Sequence, residues 1–207
     1  PYGEDGAIQG TFEMANTPYV GCGITASALA MEKDFAKQIF VQQRIPTARW
    51  IVATAADLSN PSRVIDMVIR ELGYPVFVKP AELGSSVGVS KSSTDAELEE
   101  AIARALSYGD KAIIEEAIDG REIEVAVLGG RSSVPGEVVI QTDWYDYESK
   151  YSDASSRFVA PARLTPPQSS EVRDLAELIR TRKITSLELT KMFLSRLKRY
   201  GPELECV

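Results

Sequence analysis

The chain has 207 residues, 44% hydrophobic and 26% charged, a balance typical of globular proteins with one large core or two small ones. Its net charge of −7 disfavours a nucleic-acid or anionic-membrane surface, and no apolar run approaches the roughly 20 residues of a membrane span. There is no histidine, which excludes a Ser-His-Asp triad, a Cys-His pair and a His-ligated zinc site, and the two cysteines, Cys22 and Cys206, form no framework and read as reduced thiols of a cytosolic protein.

In chain order, residues 1–6 read as a loop opening a short helix that carries Ala7, Ile8, Phe12 and Met14. Thr17 to Gly21 reads as a short strand and turn. Ser27 to Gln43 reads as one helix, with Lys33 early and Phe35, Ile39 and Phe40 at helical spacing, ended by Pro46. Arg49 to Thr54 alternates as a strand. Ser59-Asn60-Pro61-Ser62 turns into a helix with Val64, Met67, Val68 and Leu72 on one face, closed by Gly73.

Two β-rich pieces follow, Pro75 to Lys79 and Val87 to Ser90, around a loop holding Gly84, Ser85 and Ser86. A glycine lets the backbone turn and approach a ligand closely, and successive N–H groups with two hydroxyls suit phosphate oxygens. Lys79, ending an apolar strand beside Pro80, is poorly explained by packing and adds a positive charge. Without further context the same segment reads equally well as a hairpin with a Gly-Ser turn. Lys33 by itself reads as a solvated helix lysine.

Thr94 caps the next helix, with Glu97 completing a capping box and Leu98, Ile102, Ala105 and Leu106 forming the apolar stripe. Lys111 to Glu116 reads as a buried strand, Ile123 to Leu128 as another after a turn at Asp119-Gly120, and Gly136 to Ile140 as a third. Trp144 to Arg163 is rich in Asp, Ser and Tyr and reads as a long surface loop. Pro161, Pro166 and Pro167 with Gln168-Ser169-Ser170 read as a linker. Leu175, Leu178 and Ile179 mark a short amphipathic helix, and Thr185 with Glu188 caps a second one, stopped by Gly201-Pro202.

Five motifs, Tyr2-Gly3-Glu4-Asp5-Gly6, Ser27-Ala28-Leu29-Ala30-Met31-Glu32-Lys33, the Lys79-to-Gly88 loop, the run from Ile113 to Val127, and Tyr145-Asp146-Tyr147-Glu148-Ser149-Lys150-Tyr151, in this order and spacing resemble the D-alanine–D-alanine ligases of the ATP-grasp superfamily. The resemblance covers about residues 1–168. It implies an α/β (α+β) fold, an incomplete ATP-grasp, divided into the end of the ligase N-terminal domain (1–22), the ATP-grasp central domain (23–118) and a partial C-terminal domain with a lid loop (119–168). It also implies an ATP-dependent carboxylate–amine ligation through an acyl phosphate, for peptidoglycan precursors, in the cytoplasm, with ATP and D-alanine as small-molecule partners and a family homodimer.

Residue by residue, the resemblance implies phosphate contacts from Lys33 and Lys79, adenine recognition by Glu115 with the backbone of Glu116 to Ile118 and the Ile118 side chain, and ribose recognition by Glu122. Glu4 falls where the family's glutamates help bind the first D-alanine. Ser85, Ser86, Lys150 and Tyr151 match a lid that closes over the site and keeps water from the acyl phosphate. The family's magnesium is held by an acidic strand and a Glu-x-Asn segment. The asparagines here are Asn16 and Asn60, neither in such a segment, so no metal ligands are expected in this chain. The expectation is therefore a fragment that binds ATP weakly or is inactive. The alternatives are a non-catalytic nucleotide-binding or structural fragment, and another ATP-grasp ligase. Leu175 to Arg180, Thr185 to Thr190 and Arg199-Tyr200 resemble the N-terminal helices of amidase-signature enzymes, which implies a fused segment over about residues 171–207 (helical domain 169–207). The Ser-Ser-Lys machinery of an amidase is not in it.

Overall fold

The computed structural model describes residues 2–128, 131–139 and 157–180. The chain divides into two compact units, one of residues 1–121 with 138–157, the other of residues 122–137 with 158–207. It is a mixed α/β protein.

The first unit begins with three helices, α1 (Ala7–Met14), α2 (Ile24–Met31) and α3 (Lys33–Gln42). A four-stranded sheet follows, built from β1 (Trp50–Thr54), β2 (Val76–Pro80), β3 (Ser90–Ser92) and β4 (Lys111–Glu116) in the order β1-β4-β2-β3. Helices α4 (Pro61–Glu71) and α5 (Asp95–Leu106) cover one face of it. Their periodicity explains the placement: Pro61 opens α4, and Val64 and Val68 are fully buried; Leu98, Ala101, Ile102 and Ala105 form the inner stripe of α5. They pack on Ile51, Ala53, Val76, Val78, Ala112 and Ile114, the alternate residues of three antiparallel strands. Phe77, Lys79, Lys111, Ile113 and Glu115 alternate to the opposite face.

The later elements are β5 (Glu122–Glu124), β6 (Val127–Leu128), β7 (Arg131–Ser132), β8 (Gly136–Val139), β9 (Arg157–Val159) and helix α6 (Pro166–Arg180). Strands β5, β8 and β9 form a sheet in the order β5-β8-β9, and β6 pairs with β7. The α6 helix is tied to β7: Arg173 Nε donates to Ser132 Oγ at 3.0 Å, and that hydroxyl donates to Glu177 Oε1 at 3.0 Å.

Several expected elements differ. The helix expected over 27–43 breaks at Glu32, whose backbone is extended (φ −78°, ψ 98°). There the Lys33 N–H leaves the helix ladder and donates to Ala81 O at 3.0 Å, so a tertiary bond replaces a local one. No strand forms over 17–21, because the Thr17 N–H returns to Phe12 O at 2.8 Å and the Tyr19 ring folds back onto Phe12. The strand expected at 87–90 lies at Ser90–Ser92 instead, since residues 84–89 spend their backbone bonds on turns.

The strand expected over 123–128 is split into β5 and β6. The capping box of α5 is offset by one residue: Thr94 Oγ1 accepts from the Glu97 N–H at 3.3 Å, but the Glu97 carboxylate accepts from the Ser93 N–H. The segment read as a linker at 166–170 is the first turn of α6. Pro166 stands at the start, and Gln168 Oε1 accepts from both the backbone N–H and the hydroxyl of Thr165, the reciprocal half of a cap. Within the loop expected at 144–163, residues 157–159 are β9. Residues 140–156, which include Lys150 and Tyr151, and the second C-terminal helix lie outside the described residues.

Candidate functional site

On the sheet face opposite α4 and α5, β2 presents Phe77 and Lys79, and β4 presents Ile113 and Glu115. Phe77 and Glu115 are directly paired across the strands, as are Lys79 and Ile113, so Lys79 and Glu115 are diagonal neighbours. The Lys79 ammonium donates to Glu115 Oε2. From α3, the Lys37 ammonium reaches Glu115 Oε1 at 2.9 Å, and both side chains are only 10% exposed. Burial pushes the Glu115 carboxyl up, but Lys79 and Lys37 together outweigh that and hold it below the usual carboxylate range.

Lys33 sits at the root of the Gly-Ser loop. Its ammonium donates to Pro80 O at 3.1 Å, Ala81 O at 3.2 Å and Leu83 O. Burial and then repulsion by Lys79 lower its proton affinity. Lys37 and Lys79 thus hold the Glu115 carboxylate directly, and Lys33, beside Lys79, also feels Glu115, Glu32 and Glu82.

The loop between β2 and β3 is held in a rare conformation. Ser85 (φ 53°) and Ser86 (φ 57°) are both left-handed without being glycine, and Gly88 (φ 70°) is left-handed too. Val87 N–H bonds Gly84 O at 3.1 Å and Val89 N–H bonds Ser86 O at 3.2 Å, two consecutive turns that curl the backbone. Strain of this kind in non-glycine residues costs on the order of 1–3 kcal/mol each and collects at ligand clamps. Glu4 lies against the loop, with Oε2 at 3.8 Å from where a Gly84 Cβ would stand.

The expected residues divide as follows. Lys79 and Glu115 share the sheet face opposite α4 and α5, Lys33 reaches the root of the loop that holds Ser85 and Ser86, and Glu4 stands beside that loop. The Glu116 side chain alternates to the other face, where it is committed to Arg49 at 2.6 Å and accepts the Arg49 N–H at 2.8 Å. Ile118, just past β4, is 68% exposed for so large an apolar residue. Glu122 stands exposed at the start of β5 in the second unit. Lys150 and Tyr151 lie outside the described residues.

Sequence reasoning missed Lys37. The available signal was its spacing of four from Lys33, which puts both ammonium groups on one side of α3. It also missed the pairing of Lys111 with Glu32 Oε1 at 3.0 Å, which anchors the break between α2 and α3. A cavity of about 720 Å³ opens nearby, lined by Tyr2, Asp5, Met31, Glu32, Glu82 and Tyr108 among others. There a hydrogen bond that the protonated Glu82 carboxyl donates to Glu32, then burial and the Glu32 charge, push Glu82 up.

The donor set fits a nucleotide: cations and a curled run of backbone suit phosphates, and a buried carboxylate suits a hydrogen-bond donor on a base. It does not supply a magnesium site. Among the described residues no group of three or more His, Cys, Asp or Glu could hold a metal ion, so no step is assigned to one. Among the same residues no helix is long and apolar enough to cross a membrane.

Residues 39–189 match the family model described as the D-ala D-ala ligase C-terminus. The chain is 44% identical over 180 residues to the D-alanine–D-alanine ligase of Bacillus velezensis, which covers 85% of this chain and 51% of that protein. To the D-alanine–D-alanine ligase of Heliobacterium modesticaldum it is 46% identical over 180 residues, covering 85% and 49%. Among solved structures, the VanG D-Ala:D-Ser ligase from Enterococcus faecalis superposes with a TM-score of 0.75 at 33% identity, covering 86% of this chain and 52% of that one. The D-alanine-D-alanine ligase from Coxiella burnetii gives 0.69 at 31% identity, covering 84% and 46%. The chain spans about half the length of the curated relatives it matches.

Proposed function

The chain belongs to the D-alanine–D-alanine ligase family, and from that premise we propose that its first unit grips ATP for a D-alanine–D-alanine ligation in the cytoplasm. The observation that carries this is the buried Lys37–Glu115–Lys79 arrangement beside a loop whose two serines are left-handed. ATP supplies the phosphoryl group that turns a D-alanine carboxylate into an acyl phosphate, which the amine of a second D-alanine attacks.

This chain's own residues then act by position and charge, as phosphoryl transfer requires. Lys79 and Lys33 neutralise phosphate charge. The turns at Ser85 and Ser86 aim backbone and hydroxyl donors at the phosphates, and Lys150 and Tyr151 close over them against water. Glu115 accepts from the adenine amino group, the backbone from Glu116 to Ile118 frames the ring, and Ile118 packs on it. Glu122 accepts from the ribose hydroxyls, and Glu4 beside the loop takes part in holding the first D-alanine.

The test is a calorimetric titration of ATP against the chain and its Lys79→Ala variant. Loss of one charge-assisted contact is expected to weaken binding by about tenfold or more. Identical affinities would sink the proposal, and D-alanine-dependent ADP release measured in the same samples reports whether these residues also complete the ligation.

We also propose the domain limits 1–22, 23–118, 119–168 and 169–207, with residues 171–207 an amidase-like addition that takes no part in nucleotide binding. Deleting residues 181–207 is then expected to leave ATP affinity unchanged within about twofold, less than 0.5 kcal/mol. A larger loss would place that segment in the ligase itself.

A further inference from the structure

Lys37 matches none of the positions that the family resemblance assigns, yet its ammonium is fully engaged at the Glu115 carboxylate. An ammonium has three N–H donors. In Lys37 one goes to Glu115 Oε1 at 2.9 Å, one to Thr47 Oγ1 at 3.0 Å and one to Ala48 O at 3.0 Å. Nothing remains for a ligand, so Lys37 acts only through Glu115. Its ammonium also lies 5.4 Å from the centroid of the Trp50 ring. Trp50 in turn donates from Nε1 to Asp34 Oδ1 at 2.9 Å and stands directly across β1–β4 from Glu115. The lysine is therefore anchored on α3, on the segment entering β1 and over a ring flanking the carboxylate.

We propose that Lys37 is the positioning residue for base selection: by holding one oxygen of Glu115 in place, it presents the remaining lone pairs to a base that carries an exocyclic amino group. This rests on the reading of the cleft as a nucleotide site. A carboxylate offers about four lone-pair positions, and Lys37 and Lys79 use two of them. An amino purine donates to what remains. A 6-oxo purine sets its carbonyl oxygen against an acceptor-only group and is rejected. Without Lys37, Oε1 loses its anchor and the carboxylate, held by Lys79 alone, is free to turn, so its remaining lone pairs no longer face one fixed direction.

The experiment compares ATP with inosine triphosphate, which differ at that amino group, by calorimetry on the whole 207-residue chain. Wild type is expected to prefer ATP by about tenfold or more, Lys37→Met to cut the preference to about twofold, and Lys37→Arg to restore most of it. Equal weakening of both nucleotides in Lys37→Met, with the ratio intact, would reduce Lys37 to a structural prop and overturn the inference. If Lys37→Met does not fold, Thr47→Val removes one anchor and keeps the charge; a lowered ratio supports the inference and an unchanged one overturns it. A wild-type chain that binds neither nucleotide removes the nucleotide reading itself, whereas one that binds both alike overturns base selection and leaves that reading standing.

Discussion

Replacing Glu115 by Leu is expected to destabilise the first unit by about 3–5 kcal/mol, the cost of leaving a buried charge without its partner. The stranded group is Lys37, whose side chain is 10% exposed and cannot reach bulk water without leaving Thr47 and Ala48. Lys79, at 28% exposure, is freer to turn outward and adds less. The double variant Lys37→Met with Glu115→Leu tests the cause, because replacing both charges by apolar groups of similar size restores most of the loss.

The pH dependence has a definite sign. The Glu115 carboxyl titrates lower in the folded protein than its ordinary value of 4.5. Its contribution is therefore present above that value and is lost as pH falls through the lowered one. Urea midpoints measured between neutral and acid pH should show this loss in wild type and lack it in Glu115→Leu. A single variant within about 1 kcal/mol of wild type, the scale of an exposed ion pair, would mean that the pair is effectively solvated.

The second large effect is expected at Gly88. Its φ of +70° is a region that L side chains rarely adopt, and an added Cβ would stand 2.8 Å from Pro80 Cγ and 2.8 Å from Tyr108 Cδ2. Tyr108, 50% exposed, can swing away, but the Pro80 ring is fixed in β2 and fully buried. Left-handed strain together with overpacking gives about 2–4 kcal/mol for Gly88→Ala. The displaced loop carries Ser85 and Ser86, so ATP affinity should fall alongside the melting temperature. Wild-type melting with unchanged ATP affinity in Gly88→Ala would show that the curl of this loop is not what holds the phosphates.

The five-motif pattern was legible because its residues are close in sequence or keep their spacing: a lysine ending an apolar strand, a Gly-Ser loop, acids around the next strand. The core was legible for the same reason. Val64 and Val68, Leu98 and Ile102, and the alternation of Val76 and Val78 are local periodicities that name a buried face without any partner being known. The turn signals misled where chemistry was shared. Pro166 and Pro167 look like a linker until Gln168 is seen to reach back to Thr165 and start a helix.

By itself, the sequence determined the family, the succession of elements from β1 to β4, and the candidacy of Lys33, Lys79, Ser85, Ser86 and Glu115. Only the tertiary structure decided what those side chains face. Lys33 leaves the helix ladder because its N–H meets Ala81 O, a residue 48 positions on, and no local rule carries that bond. Glu115 and Glu116 are adjacent acids with equal propensities, yet the pleat sends one to a buried pair of lysines and the other to Arg49 on the opposite face. Lys37 acquires its role from three groups that the chain brings to it only when α3 packs against β1 and β4, because a charge alone does not say which oxygen it will hold.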